Sequence, residues 1–148
     1  MSTNSCEGFY GAKLVNRLVL QFIKDDPFFH NISKTFGTNV MFFIQANFLV
    51  TYKQRCFKED IIVCEHGIEI KKPFVEVYYS DFSNVPLQHK MEILYIVGRC
   101  LQLEKEGNKI EDLVKNTEAW KYFNMYPSSV IPTHLIAKEG FCFSYKKA

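Results

Sequence analysis

From Asn39 to Tyr52 the chain alternates. Val40, Phe42, Ile44, Ala46, Phe48, Val50 and Tyr52 are apolar, and the positions between them pass from Met41 and Phe43 to Gln45, Asn47 and Thr51. Period-two spacing in β-branched and aromatic residues predicts a long strand with one apolar face and a second face that turns polar. The run is more than twice the usual strand length of about 5–6 residues. A bend, a bulge near Gln45-Ala46-Asn47 or a hairpin turn there is therefore expected.

Other stretches carry a helical period. Leu14, Val15, Leu18, Val19, Phe22 and Ile23 recur at three and four residues, which predicts a helix over 11–24. Asp26-Pro27 suits a helix start, and Gly37 an end, so a short second helix is expected over 27–36. A third is predicted from Leu87 to about Glu106. Leu87, Met91, Leu94, Gly98 and Leu101 line one face of it, and Ile93, Ile96, Val97, Cys100 and Leu103 widen that face. Gly107-Asn108 ends it, and a fourth helix is expected over 109–123.

Between these groups lie short apolar runs with tight turns. Ile61–Cys64 and Ile68–Ile70 flank Glu65-His66-Gly67, which reads as a hairpin. Phe74–Tyr79 alternates as a further strand after Lys71-Lys72-Pro73, and 134–137 with 141–145 suggests a closing hairpin. Runs of helices and runs of strands, rather than alternation, predict an α+β class. The expected architecture is an antiparallel sheet of five to six strands, flanked by two N-terminal and two central or C-terminal helices. Residues 1–10 are expected to form a flexible N-terminus and 11–148 a single domain.

Composition changes this picture little. At 148 residues the chain can bury a substantial core without a metal or disulfide. Aromatic residues make up 16%, with 14 Phe and 8 Tyr, so the core or an interface is unusually bulky. A net charge of +2 is too small to argue for nucleic acid by itself. Five widely spaced cysteines without a CxxC do not describe a disulfide scaffold. The opening residues lack the pattern of a signal peptide, and no apolar run approaches the length of a membrane span. An intracellular location, in cytoplasm or nucleus, is the expectation.

Candidate chemistry is sparse. Cys64 and His66, with Cys56 and His89 or His134 at a distance, do not make the two close ligand pairs zinc prefers. There is no GxxxxGK[ST] and no GxGxxG, hence no phosphate cradle. Glu69 and Glu76 could face one another across Lys71-Lys72-Pro73, but the lysines describe a surface charge ladder. No catalytic, cofactor-binding or metal site is assigned on these patterns.

Two binding readings remain. Trp120, Tyr122, Phe123, Met125 and Tyr126 crowd five interface-type side chains into seven residues. They predict a non-enzymatic protein–protein interaction domain, either self-associating or acting as a small subunit, adaptor or viral accessory protein. The alternative is an RNA- or single-stranded-DNA-binding domain. It would use Lys53, Arg55, Lys71 and Lys72 beside Tyr78 and Tyr79 on a sheet face, where aromatics stack bases and cations hold the backbone.

Overall fold

The computed structural model describes residues 8–72 and 82–140. At its centre is a helix, not a strand. α2 (Phe36–Tyr52) is buried along one uninterrupted stretch from Asn39 to Phe48. It packs against α1 (Ala12–Ile23), α3 (Leu87–Lys105), α4 (Ile110–Lys115), α6 (Thr133–Ala137), β2 (Arg55–Phe57) and β4 (Gly67–Ile70). The alternation read as a strand is real but incidental, because odd and even positions are both largely apolar. A segment apolar all round can be buried on every side as a helix, whose backbone satisfies its own hydrogen bonds. A strand there would have needed partners for both edges. Tertiary enclosure thus overrides the β propensity of Val, Phe, Ile and Thr.

The remaining elements are arranged around this centre. α1 buries Leu14, Val15, Leu18 and Val19, the predicted stripe. Asp26 accepts from Phe28 N at 2.8 Å, but it caps a 3-10 turn, Pro27–Asn31, rather than a helix to residue 36. Gly37 does not end that turn; it lies in the first turn of α2. α2 ends at Lys53, which takes the left-handed conformation at φ 58°.

The five-to-six-strand antiparallel sheet does not form among the described residues. They contain two two-stranded sheets instead. β1 (Gly8–Tyr10) runs parallel to β2, with Gly8 opposite Arg55 and Tyr10 opposite Phe57. A Cβ on Gly8 would lie 2.7 Å from the backbone carbon of Phe57, so only glycine fits this pairing. β3 (Ile61–Cys64) and β4 form the expected antiparallel hairpin, with Ile61, Val63, Ile68 and Ile70 buried. The expected strand Phe74–Tyr79 lies outside the described residues. The stretch 134–137 is not a strand; it belongs to α6, and its expected mate 141–145 lies outside the described residues.

α3 spans the predicted range and ends as predicted. Gly107 has φ 88°, and Asn108 N donates back to Leu103 O at 2.8 Å. Its faces are the reverse of part of the prediction. Ile93, Ile96, Val97 and Cys100 enter the core, while Leu87, Met91 and Leu94 point to solvent. Among the described residues α3 packs on its inner side against α1, α2 and α4 rather than across a broad sheet. The predicted fourth helix is two: α4 and α5 (Glu118–Phe123). Thr117 divides them. Its backbone is extended and its Oγ1 accepts from Trp120 N at 3.1 Å, so it starts a new helix.

Candidate surface formed by α5 and the following turn

Thr117 sets the direction of α5, and α5 sorts its aromatic residues. Trp120 and Phe123 lie partly buried against the core. The Nζ of Lys115 sits 5.9 Å from the Trp120 ring centre, a cation–π distance. Tyr122, Met125 and Tyr126 turn outward, at 69, 80 and 60% exposure. Tyr122 leans on Phe123 with ring centres 4.8 Å apart. The predicted five-residue cluster is therefore brought together as two anchors and three exposed side chains.

The turn that carries it is tied down. Tyr126 N donates to Phe123 O, and Ser129 N donates to Tyr126 O. Ser128 has φ 71° and donates its N–H to Val63 O at 2.7 Å. Val63 N then donates to Ser129 O, and Ile131 N to Ile61 O, both at 2.9 Å. The chain leaving α5 is thereby paired to the second edge of β3, with Val130 bridged to Ile62. Beside it a shallow cavity of about 330 Å³ is lined by Glu118, Lys121, Tyr122 and Leu135. Lys138 and Glu118 form an ion pair of 2.9 Å at its rim.

The nucleic-acid residues are not brought together in the same way. Lys53 is exposed at the end of α2, and Lys71 and Lys72 are exposed after β4. Arg55, by contrast, is 4% exposed. Its guanidinium pairs with Asp60 at 2.8 Å and donates to Lys58 O at 3.0 Å. β3 and β4 carry no aromatic side chain, and Phe57 on β2 is buried. Tyr78 and Tyr79 lie outside the described residues.

Several buried polar groups were not singled out by sequence, and most prove structural. Gln45 accepts from Cys56 N and Phe57 N, at 2.8 and 3.0 Å, and donates to Phe57 O at 3.0 Å. It splices β2 to the central helix. Glu59 accepts from Ala12 N at 2.9 Å and Glu104 from Ile110 N at 2.8 Å, each satisfying a donor in the first turn of a helix. Asn47 donates to Glu92 across α2 and α3. The carboxylates are thus spread over separate structural tasks.

His89 is the least ordinary group. Phe9, Phe48 and Tyr52 approach it edge to face, with ring centres 4.5, 5.0 and 4.6 Å away, and the Tyr10 hydroxyl lies 2.6 Å from Nδ1. Burial pushes the Tyr10 phenol well up, aided by Cys56 and Tyr52, and pushes the imidazole down. A neutral imidazole accepting at Nδ1 from a protonated phenol fits both shifts. The only sequence signal for this cage is the abundance of aromatics. Cys56 is fully buried, and burial raises its thiol, so it is not poised as a nucleophile. No three His, Cys, Asp or Glu side chains among the described residues are arranged to hold a metal ion. No described helix is long and apolar enough to cross a membrane. No protein-family model matches the chain, and neither a curated protein nor a solved structure is significantly similar to it.

Proposed function

We propose that the chain is a non-enzymatic protein–protein interaction domain, a small subunit or accessory protein that binds through the α5 surface. One observation carries this reading. Three large side chains, Tyr122 on α5 and Met125 and Tyr126 on the turn after it, stand in solvent where the chain goes on to pair with a sheet edge. Scattered exposed apolar residues need no explanation, but an adjacent group of interface-type residues on a rigid support does. Tyr and Met bring large contact area, and the tyrosine hydroxyls tolerate water when the partner is absent. Trp120 and Phe123 serve as anchors from beneath, holding the turn rather than meeting the partner.

The test compares the wild-type chain with the triple variant Tyr122→Ser, Met125→Ser, Tyr126→Ser. Both are used for affinity capture from native lysate, with and without nuclease, and both are measured alone by sedimentation. A stoichiometric protein partner or a self-associated species that survives nuclease and is lost in the variant is the expected result. Capture unchanged in the variant overturns the surface. Recovery that depends on nucleic acid transfers the reading to Lys53, Lys71 and Lys72.

A further inference from the structure

We propose that the outer face of α3 is a second docking surface, and that it receives an acidic amphipathic helix of another protein. On this 19-residue helix Leu87, Met91 and Leu94 succeed one another at four and three residues. Their exposures are 71, 60 and 48%. Gly98 continues the stripe one turn on, and beyond the helix's own backbone no described atom lies within 4 Å of where its Cβ would be. A groove of about 540 Å³ runs along the first turns, lined by Leu87, Met91 and Tyr95 with Gln88 and Glu92.

The shape of the occupant is set by the spacing. Apolar positions at four, three and four residues are the seam against which another helix lays its own stripe. Gly98 lets that helix come close at one end. The charge of the occupant is set by the flanks. At about 100° per residue, Lys90 falls on one side of the stripe and Arg99 on the other. Neither makes an ion pair among the described residues. Glu92 adds no exposed charge, because it is 1% exposed and receives the amide of Asn47. A partner with carboxylates beside its apolar stripe is attracted and aligned by both cations. A second copy of this chain is disfavoured, since pairing α3 with α3 would place four cations along one seam.

The full chain is titrated with two labelled synthetic peptides, each about 18 residues and about 27 Å long as a helix. Both carry the same leucine stripe; one has Glu and the other Lys at the flanking positions. Fluorescence anisotropy is expected to show the acidic peptide binding roughly tenfold more tightly at low salt, the sum of a few exposed ion pairs. Added salt narrows the gap. The variant Lys90→Glu, Arg99→Glu is expected to reverse the preference, and Met91→Asp, Leu94→Asp to remove binding of both peptides while the circular dichroism stays unchanged. All these positions are exposed or at the rim, so folding is preserved. Tyr122→Ser, Tyr126→Ser is expected to leave peptide binding intact, which separates this surface from the one on α5. Equal affinity for the two peptides, absence of binding, or a dimer of the chain broken by Met91→Asp would each overturn the proposal.

Discussion

In α2 polar side chains are inside, and at the end of α5 and in the turn after it apolar ones are outside. Each region inverts the ordinary rule, and the two inversions have different explanations. Asn39, Gln45 and Asn47 are buried, yet their amides donate to Thr35 O, Phe57 O and Glu92. Gln45 splices the central helix to β2 and Asn47 splices it to α3, while Asn39 bonds back to the N-cap of α2 itself. The Oδ1 of Asn47 has no hydrogen-bond partner among the described residues. Tyr122, Met125 and Tyr126 are exposed, and nothing among the described residues accounts for it. A buried polar group that finds its partner inside speaks of folding; an exposed apolar group that finds none speaks of something outside. That contrast, rather than any motif, locates the candidate surface.

The contrast is broken most severely at Gln45. Gln45→Ala leaves two backbone donors and one acceptor of β2 buried without their partner. Each such loss costs about 1–3 kcal/mol, so the three together are expected to cost at least about 3 kcal/mol in denaturant unfolding. Gln45→Leu fills the space but restores none of the bonds, and it is expected to recover less than half of that loss. Full recovery by leucine would mean that Gln45 packs rather than splices.

Gly140 tests the same centre by shape. A Cβ there would lie 2.6 Å from Ala46 O and would press on Val50. The chain leaving α6 therefore lies directly on the backbone of α2. Gly140→Ala is expected to cost about 1–3 kcal/mol, the usual range for overpacking against backbone. A neutral result in the same unfolding experiment would mean that this crossing is loose.

Legibility in the sequence divides along the same lines. The stripe of α1, the β3–β4 hairpin and both limits of α3 were readable because each is amphipathic or carries its own stop signal, such as Gly107. α2 was not, because burial on every side erases the period that would have declared a helix. Its length was the signal that argued against a strand. On α3 the two apolar faces look alike in sequence; the face holding Ile93, Ile96 and Val97 is the buried one, and the face of Leu87, Met91 and Leu94 is not. Thr117-Glu118, a cap followed by an acid, was a legible sign that one helix would become two. The crowding of residues 120–126 was plain in the sequence, but which of them would face outward depended on the register that Thr117 sets.

His89 sharpens the comparison through pH. Burial lowers its pKa below the ordinary 6.5, so the folded state favours the neutral imidazole. The unfolded chain then binds more protons below about pH 6.5, and stability falls as pH drops from there toward the folded value. Asp26 and Glu111 have lowered pKa values, Asp26 chiefly through the backbone N–H of Phe28 and Glu111 through Lys115. Their contributions are present above the ordinary carboxylate range and lost as pH falls through it, so the two windows separate. Unfolding measured at steps from pH 7.5 to 5 is expected to show a decline that His89→Gln flattens. An unchanged slope in the variant would assign the decline to other groups.

The smallest expected effect bears on the outer region. Tyr122, Met125 and Tyr126 leave most of their surface in water, so removing their side chains returns little area to solvent on unfolding. Tyr122→Ser and Met125→Ser are each expected to change stability by less than about 0.5 kcal/mol. Phe123→Ser, one residue away but turned inward, is expected to cost several times more, since Phe123 packs against the core. Thermal unfolding of the three variants side by side decides the matter. A large loss from Tyr122→Ser would mean that this ring helps close the core, and its exposure would no longer point to a partner. A small loss would show that these side chains have no task in folding, as the proposed α5 surface requires.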